Sequence, residues 1–214
     1  MKNLYIYNFL FFIMSLFVNP NVFADSLGDF YVFNAKMIEA EERVAELGNK
    51  DFALNLRKKY NELKTENPQY REYIDKRENT LNWLSTDTQT EHLINRLSEI
   101  HGGELIISQS DDGNYEKSRL IALWARSLSL EIEQSKNSED KAKLPLVYFL
   151  QGKADFHFSR LGSDSLKKFL DLSIDNQSKF KKWRIEAKEI MQLLNTNRQG
   201  PEKENAVKTH ILSN

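Results

Sequence analysis

The chain has 214 residues, with 30 lysines and arginines against 31 aspartates and glutamates, and it contains no cysteine. The absence of cysteine excludes a disulfide framework, a thiolate metal site, a cysteine nucleophile and a lipid-modified cysteine behind a leader. The near balance of charge argues against nucleic acid as a partner, because neutralising phosphates needs a basic excess or a basic face.

The N-terminus reads as a secretion leader. Lys2 precedes the apolar run of residues 4–18, LYIYNFLFFIMSLFV; Asn19-Pro20-Asn21 breaks it, and Val22-Phe23-Ala24 puts small residues where a signal peptidase reads them. Residues 1–24 are therefore expected to be a signal peptide cut between Ala24 and Asp25. The run is about 15 residues long, whereas a helix needs about 20 to cross a bilayer. No membrane span is expected in the mature chain. Loss of Lys2 leaves 29 cations against 31 anions, a net charge of −2, and about 190 residues suffice for a sizeable core without disulfides. The expected location is the periplasm or outside the cell.

Apolar residues then recur at helical spacing almost throughout, which predicts an all-α protein of about eight helices stacked as antiparallel hairpins. Phe30, Phe33, Met37, Ala40, Val44 and Leu47 form one stripe, stopped by Gly48-Asn49. Phe52, Leu56, Tyr60 and Leu63 form a second, capped by Asp51 and ended by Asn67-Pro68. A third helix from Pro68 carries Tyr70, Ile74, Leu81 and Leu84. A fourth, capped by Asp87 or Thr88, carries Leu93, Ile94, Leu97 and Ile100 and stops at Gly102-Gly103. These make an N-terminal helical half, residues 25–103. Residues 104–114, ELIISQSDDGN, place a short apolar run beside a turn signal; a lone strand makes no sheet, so they read as an ordered loop between two halves.

The C-terminal half, residues 115–195, opens with a long helix bearing Leu120, Ile121, Leu123, Trp124, Leu128 and Ile132. Pro145 suits the first turn of the next helix, which runs to Gly162. Ser163 is expected to cap a helix with Leu166, Phe169, Leu170 and Leu172, and a last helix carries Phe180, Trp183, Ala187, Ile190, Leu193 and Leu194. Residues 196–214 lose period and read as a disordered polar tail.

Residues 148–173, YFLQGKADFHFSRLGSDSLKKFLDLS, resemble a tetratricopeptide-repeat hairpin, with Gly152 and Ala154 on the first helix, a Leu161-Gly162 turn, and Leu166 and Phe169 on the second. Residues 180–194 would supply the first helix of a following repeat. The resemblance implies close approach of two helices at the small residues and large side chains filling the groove of a neighbouring repeat. It also implies a partner-binding face at Tyr148, Phe149, Gly152, Ala154, Phe156 and Phe158, although by the usual odds these aromatics are mainly core.

Reactive chemistry is sparse. No two of His92, His101, His157 and His210 have the spacing of paired ligands on a helix, and no metal or other cofactor is expected. His157, between two phenylalanines, reads as a packing or hydrogen-bonding residue, and His101 as a partner for carbonyls at a helix end. A calcium loop starting at Ser108 fails because its twelfth position is Arg119. Glu39, Glu41 and Glu42, and Asp111 with Asp112, read as solvated or helix-surface carboxylates. Together these point to an exported protein-interaction or scaffold module that holds another envelope or secreted protein. The alternative is an exported hydrolase with its site in the cleft between the halves, built from Glu, Asp, His157 or Ser side chains.

Overall fold

The computed structural model describes the backbone of residues 20–48, 51–86, 89–108, 113–159 and 161–211, and side chains within these from Leu27 to Thr196. Residues 1–19 of the expected leader, the side chains at its Ala24–Asp25 junction, Asp111 and Asp112, and the side chains of residues 197–214 in the expected tail lie outside those described. Among the described residues every regular element is a helix and none is a strand, so the all-α expectation holds. No helix there is long and apolar enough to cross a membrane.

The chain divides into two compact units, Met1–Glu41 and Glu42–Asn214. The described part of the first is most of helix α1, Pro20–Glu46. Its expected stripe is selective: Phe33, Met37, Ala40 and Val44 are buried, whereas Leu47, at the end of the periodic run, is 65% exposed.

In the second unit α2 (Phe52–Glu66) buries all four of its predicted positions, Phe52, Leu56, Tyr60 and Leu63. Asn67 and Pro68 end it and start a 3-10 turn, Pro68–Tyr70, before α3 (Arg71–Ser85). Proline fixes a helical φ but gives no N–H, so the chain re-enters a helix here without continuing the old one. The two helices pack side by side. Arg57 of α2 donates to Asn82 Oδ1 (2.8 Å) and Ser85 Oγ (2.9 Å) on α3, and Lys64 pairs with Asp75 (2.7 Å) and Glu78.

Helix α4 (Thr90–Ile100) starts at Gln89, which makes no side-chain capping bond; the caps expected at Asp87 or Thr88 lie outside the described residues. Its end is a double reversal. Gly103 N–H reaches Ser98 O (2.7 Å) and Gly102 N–H reaches Glu99 O (3.0 Å), which satisfies two orphan carbonyls. The chain leaves this cap as residues 104–108, without helix or strand.

Helix α5 (Gly113–Gln134) and α7 (Leu144–Ser159), joined by the short α6 (Ser138–Lys141), form the most extensive helix pair. Asn137 caps α6 by accepting from Glu139 N–H (2.9 Å). Pro145 lies in the first turn of α7 as expected. Helix α7 is buried on nearly all sides, with Val147, Phe149, Leu150 and Ala154 at 0% exposure, and it touches α4, α5, α8 and α9. Complete burial of each large apolar side chain stabilises by about 1.5–3 kcal/mol, so this helix anchors the unit.

Helices α7 and α8 (Ser163–Leu172) meet at two glycines. A Cβ on Gly152 would lie 2.6 Å from Leu166 Cγ, and one on Gly162 would lie 2.3 Å from Gly152 O. Gly162 also holds φ at +101°, where side chains are strained. It occupies the N-cap position of α8 itself, and Ser163, the expected cap, is instead the first helical residue. A second 3-10 turn, Ile174–Asn176, leads to α9 (Lys181–Ile211). Phe180, Ala187, Ile190 and Leu194 are buried, and Leu193 is exposed. Arg184 donates to Leu170 O (2.6 Å), fastening α9 to the end of α8.

Candidate functional site

A cleft of ≈680 Å³ lies in the second unit, walled by the start of α4, the C-terminal half of α5, the α6 connection and the residues before α9. Its floor is apolar: Phe52, Trp124, Ile132, Leu146 and Phe180 are each at most 8% exposed. The floor follows from helical period, since Trp124, Leu128 and Ile132 recur every fourth residue on α5 and place three large side chains on one line. The rim is polar and of both signs, with Glu91, Glu131 and Asp140 against Lys143 and Lys179, and with Gln89, Thr90, His92 and Ser135. Asp140 is held in place, accepting from Ser135 Oγ (3.1 Å) and pairing with Lys143 (3.4 Å). Lys179 Nζ lies 5.3 Å from the Phe180 ring centroid, a cation–π distance. A cleft of this size with an apolar base and a few polar groups around it suits side chains of a bound segment or a small amphiphile.

A second polar cluster lies behind α7. The rings of His101 and His157 are stacked at 3.8 Å with 3° between their planes. His157 Nδ1 is 2.5 Å from Ile106 O; a carbonyl only accepts, so Nδ1 carries the proton and Nε2 is a bare lone pair. That Nε2 is buried with no hydrogen-bond partner. Burial chiefly, then the neighbouring His101 and Lys153, push the pKa of His157 down to about 3. Ser118 donates to Asn114 O (2.8 Å) and therefore accepts from His101 Nε2 (2.9 Å). His101 thus bonds a hydroxyl of α5, where the sequence suggested helix-end carbonyls. Ser108 N–H donates to His157 O (2.7 Å).

The Ser108 hydroxyl is 3.4 Å from both nitrogens of His101. Equal distances put it off both the Nδ1 lone pair and the Nε2–H, and both side chains are buried. That arrangement does not aim a nucleophile at a base.

Two charged clusters complete the interior. Lys153, 2% exposed, binds Glu186 of α9 and Ser98 Oγ of α4 (2.7 Å), so one ammonium ties three helices. Arg77 of α3 pairs with Glu116 of α5 and donates to Tyr73 Oη (3.1 Å). Burial raises the pKa of Glu116 against the opposing pull of Arg77. Among the described residues no group of three or more metal-ligating side chains is placed to hold an ion.

The residues named from sequence fall mainly inside the protein. Tyr148, Phe149, Gly152, Ala154 and Phe156 are buried, and Phe158 is half-buried with its ring edge-on to Tyr115 at 6.0 Å. Tyr148 and Phe149 serve different neighbours: the Tyr148 hydroxyl donates to Glu133 and accepts from Lys168 (3.1 Å), and Phe149 packs on Phe169 at 5.1 Å. The face expected for a partner therefore spends its side chains on α5 and α8. The cleft does not show in the sequence because its lining comes from stretches far apart, around residues 52, 89–92, 124–146 and 179–180; Trp124, an aromatic in an apolar stripe, is a signal for it.

No protein family, curated protein or solved structure matches this chain.

Proposed function

We propose that this protein is an exported helical interaction module that holds a segment of another envelope or secreted protein. The observation that carries the reading is the cleft floored by Trp124, Phe52 and Phe180, which combines buried aromatic anchors with a charged and hydroxyl-bearing rim. Recognition sites concentrate their energy in such desolvated aromatic pockets, while a polar rim sets orientation and excludes water. The mixed rim suits a partner segment carrying both charges, with apolar side chains entering between α4 and α5. The repeat-like hairpin of residues 148–173 then acts as the support that holds α5 in place, not as the contact face.

The reading of an exported hydrolase has less behind it, since both serines beside His101 are buried: Ser118 gives its proton to the Asn114 carbonyl, and Ser108 lies 3.4 Å from both ring nitrogens. The deciding experiment places a photo-crosslinking amino acid at Lys143 on the rim and, separately, at Lys167 on α8, in protein expressed in its native envelope. A partner covalently captured from position 143 and not from 167 supports the cleft. Equal capture from both positions, or none from 143, overturns it.

A further inference from the structure

Three features converge on residues 104–108. The segment leaves the double-glycine cap of α4, crosses to α7, and is fastened there by two bonds to one residue: Ile106 O accepts from the His157 ring, and Ser108 N–H donates to the His157 carbonyl. The His157 ring is completely buried, lies flat on His101, and presents an Nε2 lone pair that nothing satisfies.

We infer that the stacked His101–His157 pair is an acid-released latch: a proton added at His157 Nε2 expels the ring from its slot and frees residues 104–108 from α7, while the helices stay folded. The geometry dictates the direction. The neutral ring already uses Nδ1–H, so an added proton creates a buried donor with no acceptor. It also puts a cation face to face with a second imidazole.

The charges acting on the ring come from His101 in the segment's own approach and from Lys153 one turn back on α7; both disfavour a further cation. Among the described residues no carboxylate of α4, α5, α8 or α9 acts on it, and Glu186 of α9 is engaged with Lys153. On α5 the pair bonds a neutral group, the Ser118 hydroxyl, which in turn donates to the Asn114 carbonyl. Among the described residues, the interaction favouring the charged ring is with the Ile106 carbonyl, which the neutral ring already engages. Opening relieves the conflict by letting solvent reach Nε2. What it exposes is Leu105 and Ile107, both half-buried, with the free amide of Ser108.

The inference does not depend on what the cleft binds. Its test is amide hydrogen exchange of the full chain, corrected for the intrinsic effect of pH, with Ser108 N–H as reporter. One proton taken up on opening makes the protection of this amide fall about tenfold per pH unit below about pH 6, while amides inside α5 and α8, such as Leu123 and Phe169, stay protected. In His157→Phe, which keeps an aromatic ring against His101 but cannot be protonated, protection of Ser108 should be independent of pH. Flat protection in the unmodified protein from pH 7 to 4.5, or an equal fall in His157→Phe, overturns the latch. Should the variant not fold, the His157 ring resonance in the unmodified protein decides: its titration must coincide with loss of Ser108 protection. A ring that titrates while Ser108 stays protected also overturns it.

Discussion

Gly152→Ala puts the α7–α8 crossing to a quantitative test. Alanine in a helix interior is favoured over glycine by about 1 kcal/mol on propensity alone, so by local preference the change should stabilise. The crossing reverses that sign. The new Cβ would lie 2.6 Å from Leu166 Cγ, 2.9 Å from Leu166 Cδ2 and 3.0 Å from Gly162 O. Two of these neighbours cannot yield by a simple rotation, since Cγ is the branch point of a buried leucine and the other is backbone. The helices must separate by about 1 Å, and overpacking of this kind costs about 1–3 kcal/mol. Set against the propensity gain, the net is a loss of up to about 2 kcal/mol. For a chain of this length that lowers the melting temperature by up to about 8 °C.

Thermal unfolding followed by circular dichroism measures it, with Gly28→Ala as the control: Gly28 is also helical, but its Cβ would meet nothing within 4 Å. The control should hold or raise the melting temperature. The double variant Gly152→Ala, Leu166→Ala should be less destabilised than the sum of its parts, since removing the leucine branch removes the clash. A melting temperature that rises in Gly152→Ala would refute the close crossing.

Three further outcomes are expected. Lys153→Met should cost about 3–5 kcal/mol by leaving Glu186 without its partner, whereas Lys153→Met with Glu186→Leu should cost much less, as read by denaturant unfolding. Asp155 is held up to about pKa 7, mainly by burial, with Arg126 pulling the other way. Its folded pKa is above the unfolded value of about 3.9, so its stabilising contribution is present at acid pH and is lost as pH rises towards 7. Asp155→Asn should therefore raise the melting temperature at pH 8 relative to the unmodified protein and change it little at pH 4; a gain confined to acid pH contradicts the assignment. N-terminal sequencing of the exported protein should begin at Asp25, and recovery of intact Met1 in the membrane pellet would remove the leader from the reading.

The fold was legible wherever burial follows a single helical period. In α2 the four positions at steps of four and three are the four buried ones, and in α3 the stripe misses only Arg77, whose burial depends on Glu116, 39 residues away. The α7 sequence carries almost no period, because four neighbouring helices surround it. Its aromatics can consequently be read as core or as a contact face, and only the packing of Phe149 on Phe169 and of Phe158 on Tyr115 assigns them. Gly152 was legible as a close-approach residue, since a glycine inside a helix needs a packing reason. The His101–His157 pair was not: its members are 56 positions apart, and each alone is an ordinary histidine near a helix end. The cleft was hidden for the same reason, being a property of how helix ends converge.

The bond from His157 to Ile106 also constrains the order in which the protein can be assembled. Helical proteins usually gather local contacts first, each hairpin closing as its second helix forms. Residues 104–108 cannot follow that sequence, because their partner lies 51 positions downstream and on the far side of α5 in the chain. Until α7 exists, the Ser108 N–H and the Ile106 carbonyl lack the partner they bond in the folded protein, and the apolar neighbours Leu105 and Ile107 stay uncovered. A chain emerging from its N-terminus therefore carries an unfinished seam through the synthesis of α5 and α6. The addition of one residue, His157, completes it.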